Sequence, residues 1–166
     1  MTGNTDQPRR LSAESLILHL ETDASCNFQR TQPREGLTPL LYGGGGVVLR
    51  SMTMRPIATY SIRLGFVPSS HHAEYLIFLQ GLHLARKHGA TGLFARSDQL
   101  SLVRQVNGEL VDSGEGIPAL AKRIEEVRAG FVPFKLRWGK STHRKTRGDG
   151  VPTADLLAKR AGGLLR

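Results

Sequence analysis

The chain has 166 residues, 39% hydrophobic and 22% charged, with a formal net charge of +9; this holds one domain with a real core, and argues against two domains or a disordered chain. The positive excess points to a polyanionic partner, most simply nucleic acid. A single cysteine, Cys26, excludes an intrachain disulfide and a Cys-rich zinc site, and no apolar run approaches the roughly 18–20 residues that span a bilayer. Residues 1–13 are polar, include Pro8, Arg9 and Arg10, and lack the apolar core of a signal peptide. They read as a flexible tail ahead of a domain over 14–166, in a chain expected to be cytosolic and monomeric.

Leu16–Ser25 alternates Leu16, Leu18 and Leu20 with Ile17, His19 and Glu21, the period-two pattern of a strand. It ends in Asp23, at the strand exit where open α/β sheets place their chemistry, although Asp also favours plain turns. Cys26–Tyr42 holds two prolines and no clean period, and reads as a loop; Arg30 and Arg34 in it read as solvated. Gly43–Gly46 leads into a second strand, VVLRS. No Gly-Lys-Ser/Thr follows, so the glycines serve a turn and a close backbone approach at a strand start rather than a phosphate cradle. Ile57–Leu64 alternates again, and the short connection predicts an antiparallel hairpin.

A helix is predicted over His71–His88, a fourth strand over Gly92–Ser97, helices over Asp98–Asn107 and Ile117–Ala129, and a fifth strand over Phe131–Trp138. Pro133 assigns that last strand to a sheet edge. Gly139–Gly150 is a basic loop and Val151–Arg160 the last helix. The order β-β-β-α-β-α-α-β-α predicts an α/β fold: a mixed five-stranded sheet, an antiparallel meander plus parallel strands, with helices on its faces.

Four acids occupy suggestive places. Glu74, Phe78, Gly81 and Ala85 share one helical stripe that is otherwise apolar or small, so Glu74 faces inward. A capping box would need Ser or Thr three residues before it, where His71 stands. Asp98 follows the fourth strand and opens a helix, a position that also suits an N-cap. Asp155 lies in the first turn of the last helix, where the helix dipole favours an acid. Asp149, between two glycines, reads as a turn residue. If Asp23, Glu74, Asp98 and Asp155 converge, only cations keep them together, because mutual repulsion otherwise raises their pKa values or drives them apart. Oxygen ligands without a Cys or His cluster point to Mg2+ or Mn2+, and a pair of such ions roughly 3.5–4 Å apart drives phosphoryl transfer in nucleases.

Four motifs then align in order. T-D-A-S (Thr22–Ser25), A-E-Y with a later G-L (Ala73–Tyr75, Gly81 and Leu82), S-D-Q-L with Q-V-N-G-E (Ser97–Leu100, Gln105–Glu109) and A-D-L-L-A (Ala154–Ala158) resemble type 1 ribonuclease H over Leu16 to Ala161. The absence of a basic segment between the second and third helices resembles its handle-less subgroup. The resemblance implies the ribonuclease H-like fold and an endonuclease that cuts the RNA strand of RNA–DNA hybrids with two metal ions. Asp23, Glu74, Asp98 and Asp155 match the family's metal-binding carboxylates, and His143 matches the histidine of the loop before the last acid. Ser70, His71, Gln99 and Asn107 are the implied contacts to the hybrid, and Lys140, Arg144, Lys145 and Arg147 the implied phosphate contacts. The chain departs from the family's pattern at Ala24, usually Gly, and in its long Cys26–Tyr42 segment. It also departs at Ser70 and His71, where an Asn-rich pair is usual, and at Glu21, usually apolar. A basic hybrid-binding module that does not cleave, and another nuclease of the same fold, are the competing readings.

Overall fold

The computed structural model describes residues 15–139 and 149–165. The tail over 1–13, and Lys140, His143, Arg144, Lys145 and Arg147, lie outside the described residues. The elements run β1 (Ile17–Arg34), β2 (Leu37–Ser51), β3 (Pro56–Val67), α1 (Ser70–Lys87), β4 (Gly92–Ser97), α2 (Leu100–Val106), α3 (Ile117–Arg128), β5 (Phe134–Trp138) and α4 (Ala154–Ala161). The sheet order is β3-β2-β1-β4-β5. β1–β2 and β2–β3 pair antiparallel, while β1–β4 and β4–β5 pair parallel, so the predicted mixed sheet forms with β5 at the edge. No helix among the described residues is long and apolar enough to cross a membrane.

The alternation of β1 sorts the layers. Leu18 and Leu20 are fully buried among Tyr75, Phe78 and Leu82 of α1, with Leu102 and Ile124 from α2 and α3 in the same core. The opposite face of the sheet meets α4, where Val48 packs with Ala154 and Leu157. Burial of these apolar side chains, at about 25 cal/mol per Å2, is what fixes the register, because a one-residue slip would turn each strand inside out.

The expected loop over Cys26–Tyr42 is instead a β-hairpin: β1 runs to Arg34 and β2 starts at Leu37, with Gly36 at φ +66° in the turn. The reason is physical. Pairing of β1 with β4 stops at Glu21, and pairing of β2 with β3 stops at Leu41. Beyond those points the ribbon is two-stranded, Phe28–Pro33 are all exposed, and register irregularities fall after Asn27 and Gln32. With no buried face there is no period to read, and Pro33 and Pro39 are tolerated because each strand has an unpaired edge. Gly43–Gly46 likewise lies inside β2 rather than at its start, and close approach is its role there: a Cβ on Gly44 would stand 2.1 Å from the nitrogen of Gly162, the C-cap of α4.

Cys26 is buried beside Val67 and Ala73. Burial, with the charge of Glu74 acting in the same direction, pushes its thiol up to about 11. Thiolate is the reactive form. The folded protein is therefore expected to stay unlabelled by a disulfide reagent at pH ~8 and to take up one equivalent on denaturation; rapid labelling of the native chain would contradict this packing.

Candidate metal centre

The site forms where two parallel strands part. The last β1–β4 pair is Glu21 with Arg96. Asp23 stands two residues further along β1, and Asp98 two residues beyond Arg96, just past the end of β4. Glu74 comes from α1, on the other face of β1, and reaches into this opening. The helix lies close because Gly81 faces Leu20 and Thr22, where a Cβ would come within 2.8 Å of the Thr22 methyl. Carboxylate oxygens of Asp23, Glu74 and Asp98 lie within 4.8 Å of one another, the one cluster of this kind among the described residues.

Local chemistry aims each acid. Ser69, not an acid, caps α1 by accepting the His72 N–H, so Glu74 is not used as a cap. Its Oε1 accepts the Ala24 N–H at 3.1 Å, on the stretch of β1 that β4 has left. Its Oε2 is shut off from solvent and has no hydrogen-bond partner among the described residues. Burial, then the charges of Asp23 and Asp98, raise the Glu74 carboxyl well above its ordinary value, against the opposing bond from Ala24. Asp98 does not cap α2 either; Gln99 holds that position. The Asp98 carbonyl accepts the Trp138 indole N–H at 3.0 Å, which ties it to the end of β5. Trp138 belongs to no motif or period of the sequence. Its signal is positional, as the register partner of Ser97 on the neighbouring parallel strand.

This donor set fits a hard divalent cation. It is all oxygen, like-charged and crowded, and one buried oxygen has no partner, which is costly unless a cation or proton takes it. The spacing is within the reach of one shared ion, whose oxygen ligands stand roughly 2.0–2.6 Å away.

Asp155 is placed differently. It lies in the first turn of α4, whose N-cap Thr153 accepts the Leu156 N–H, and its Oδ2 accepts from Lys159 Nζ at 2.8 Å. It does not belong to the three-acid cluster. Its helix nonetheless docks at the same place: Gly46 is the register partner of Asp23, and a Cβ on Gly46 would meet the Ala154 carbonyl. Asp149 is more than a turn residue. One oxygen accepts the Val151 N–H, and the other pairs at 2.5 Å with Arg50, which is 2% exposed on β2. Those bonds hold its carboxyl below the ordinary range and anchor the approach to α4.

The expected nucleic-acid contacts divide. Ser70 is exposed at the start of α1. His71 is engaged through both ring nitrogens, Nε2 with Asp112 Oδ2 and Nδ1 with the Gln99 side-chain nitrogen. Tyr75 Oη donates to the same Asp112 oxygen at 3.4 Å. An ionised Asp112 only accepts, here from both His71 Nε2 and Tyr75 Oη. His71 and Gln99 thus brace the start of α1 against α2, beside Asp98. Asn107 caps the far end of α2, about 10 Å along the helix, and donates to the Leu136 carbonyl.

Between α2 and α3 the chain runs through residues 107–116 without a helix and without Lys or Arg. A model of the reverse transcriptase-like family matches residues 39–161. No curated protein matches the chain. Among solved structures it is similar to RNase H1 from the halophilic archaeon Halobacterium salinarum NRC-1, at 19% identity and TM-score 0.68 over 90% of this chain and 99% of that one. It is similar to the N-terminal RNase H domain of rv2228c from Mycobacterium tuberculosis, at 21% identity and TM-score 0.69 over 90% and 96%. It is also similar to LC11-RNase H1 in complex with an RNA/DNA hybrid, at 18% identity and TM-score 0.66 over 89% and 97%. With most of β2 and every later element through α4 inside the matched span, and the overall likeness to those structures extending over about nine tenths of its length, the chain belongs to the reverse transcriptase-like family and carries the ribonuclease H fold.

Proposed function

We propose that the chain is an endonuclease that hydrolyses the RNA strand of RNA–DNA hybrids with Mg2+ or Mn2+. The observation that carries this reading is the convergence of Asp23, Glu74 and Asp98 at the β1–β4 opening, with Glu74 Oε2 buried and unpartnered. Its support is the fold shared with an RNase H1 held on an RNA/DNA hybrid. Asp23, Glu74 and Asp98 hold the metal, and Asp155 is the fourth ligand of a two-ion site. The ions, when bound, supply Lewis acidity at the scissile phosphate and an activated water. The chain's own part is positioning: the Ala24 N–H fixes one oxygen of Glu74, and Trp138 fixes the backbone of Asp98. RNA is told from DNA by its 2′-hydroxyls.

The test is metal-dependent cleavage of a labelled RNA–DNA hybrid beside the same RNA single-stranded and in an RNA duplex. Only the hybrid is expected to be cut, and Asp98→Asn is expected to abolish cutting with an unchanged thermal melt. Equal rates for parent and variant would refute the assignment. The Lys159–Asp155 pair favours a second reading, a hybrid-binding module that does not cleave. That reading requires gel retention of the hybrid with no product at any metal concentration.

A further inference from the structure

The sheet face that carries α4 is only partly covered. α4 packs on β1, β2 and β3, while on β5 Lys135 and Arg137 are exposed. The parallel register lays side chains of this face in rows across β1, β4 and β5. His19, Phe94 and Lys135 form one row, and Glu21, Arg96 and Arg137 the next. One more step in the same direction reaches Asp23, with Asp98 beyond the end of β4. Each step is two residues, so the aromatic row lies about 13 Å from the acids along the strands.

These two rows, with Met54, line a cavity of about 360 Å3. That is the size of a small-ligand site, roughly 300–1,000 Å3. Within it the Phe94 ring meets the His19 ring edge-on at 5.8 Å, and Lys135 Nζ stands 5.4 Å from the Phe94 centroid. Three cations, Arg96, Lys135 and Arg137, face one acid, Glu21. An aromatic floor with a cationic rim suits a ligand that is flat and apolar at one end and anionic at the other.

We propose that this groove binds one nucleotide of a single-stranded nucleic acid, its base against Phe94 and His19 and its phosphate at Lys135 and Arg137. A duplex keeps its bases stacked and paired, so only an unpaired strand can offer one to a ring. Because the next step of the same register carries Asp23, with Asp98 just past the end of β4, the strand the groove takes is an overhang that continues from a hybrid at the metal centre; this direction rests on the nuclease reading, whereas the binding itself does not.

The experiment measures anisotropy of a labelled single-stranded oligothymidylate in EDTA, so that no cleavage intervenes. Phe94→Leu is expected to weaken binding by about fivefold or more. Lys135→Ala is expected to weaken it and to lower the salt slope by about 0.7. Lys122→Ala, an exposed residue of α3 within the other layer, removes the same charge and is expected to leave both unchanged. Each variant is checked by thermal melting, and the exposed Lys135 site keeps the test valid if Phe94→Leu melts early. In the second arm, cleavage of a hybrid with a single-stranded overhang is compared with a blunt one; only the overhang substrate is expected to show a raised KM in the variants. Unchanged single-strand affinity in both Phe94→Leu and Lys135→Ala, or an equal loss in Lys122→Ala, overturns the proposal. If no hybrid is cut yet the two variants lose single-strand binding, the nuclease reading fails and the groove stands.

Discussion

Glu74→Gln is expected to reduce metal-dependent hybrid cleavage by about a thousandfold and to leave the metal-free protein at least as stable as the parent. The two effects have one cause. Glutamine keeps a carbonyl oxygen for the Ala24 N–H and puts a neutral amide where Oε2 now sits buried without a partner. It removes a charge that burial, Asp23 and Asp98 all oppose. A carboxylate ligand is lost, and with it several kcal/mol of charge stabilisation that a bound ion supplies at the phosphate. The pH dependence follows from the sign of the shift. Below its ordinary value of 4.5 the carboxyl is protonated in both the folded and the unfolded chain, and no penalty exists. As pH rises from there to the raised folded value, the unfolded chain gives up the proton first. The folded state then binds more protons, and stability falls with pH across that window. Thermal melts of the parent in EDTA are therefore expected to drop from mildly acid to neutral pH, and those of Glu74→Gln to drop less. Adding Mg2+ at neutral pH is expected to raise the parent's melting point, by the equivalent of about 2.7 kcal/mol at a hundred times Kd, and the variant's far less. A variant that cleaves at the parent's rate, or that melts lower in EDTA, contradicts the role given to Glu74.

The parts of this site that the sequence makes legible are those written in local periods. Asp98 stands just past the end of β4, Asp23 closes the alternating run of β1 just past its last pair with β4, and the inward stripe of α1 carries Glu74 with Gly81; those patterns need only a period of two or 3.6 and the elements that follow. The hairpin over Cys26–Tyr42 is not legible, because a ribbon solvated on both faces writes no alternation and its prolines read as loop residues. His71 is another case. It stands where a substrate contact is expected, yet its partner Asp112 is 41 residues away, in a segment with no regular structure. No spacing rule reports such a pair. Lys159 lies at i+4 from Asp155, a spacing that is visible in the sequence. Which of Lys159 or a metal takes the carboxylate depends on the other three acids, and therefore on tertiary placement.

Gly46→Ala is expected to lower stability by about 3 kcal/mol or more, near the upper end for overpacking, and to lower activity beyond what the lost stability explains. The glycine run on β2 is the surface on which two helices rest. A Cβ on Gly46 would lie 1.9 Å from the Ala154 carbonyl oxygen, and one on Gly44 would lie 2.4 Å from that of Ala158. These obstacles are helix backbone, which cannot rotate away. Gly45 points to the other face, where its Cβ would lie 2.3 Å from Ile77 Cδ1, 2.5 Å from Cγ1 and 3.0 Å from Cβ, so that fully buried, β-branched residue of α1 would itself have to shift. The sheet can relieve the clash at Gly46 only by lifting the first turn of α4. That turn carries Asp155, and its strand neighbour across the ladder is Asp23. α4 is also fastened by Ser61, whose hydroxyl donates to the Leu157 carbonyl at 2.7 Å, so lifting one end tilts the helix instead of releasing it. For a chain of this length 3 kcal/mol corresponds to about 6–12 °C in Tm. Gly45→Ala is also expected to destabilise, but by displacing Ile77 of α1 instead of the first turn of α4. The measurement is a pair of thermal melts with kcat for hybrid cleavage taken well below both transitions. If Gly46→Ala melts with the parent, the first turn of α4 does not lie on the β2 backbone opposite Asp23, and the proposed part of Asp155 in the metal site falls with it.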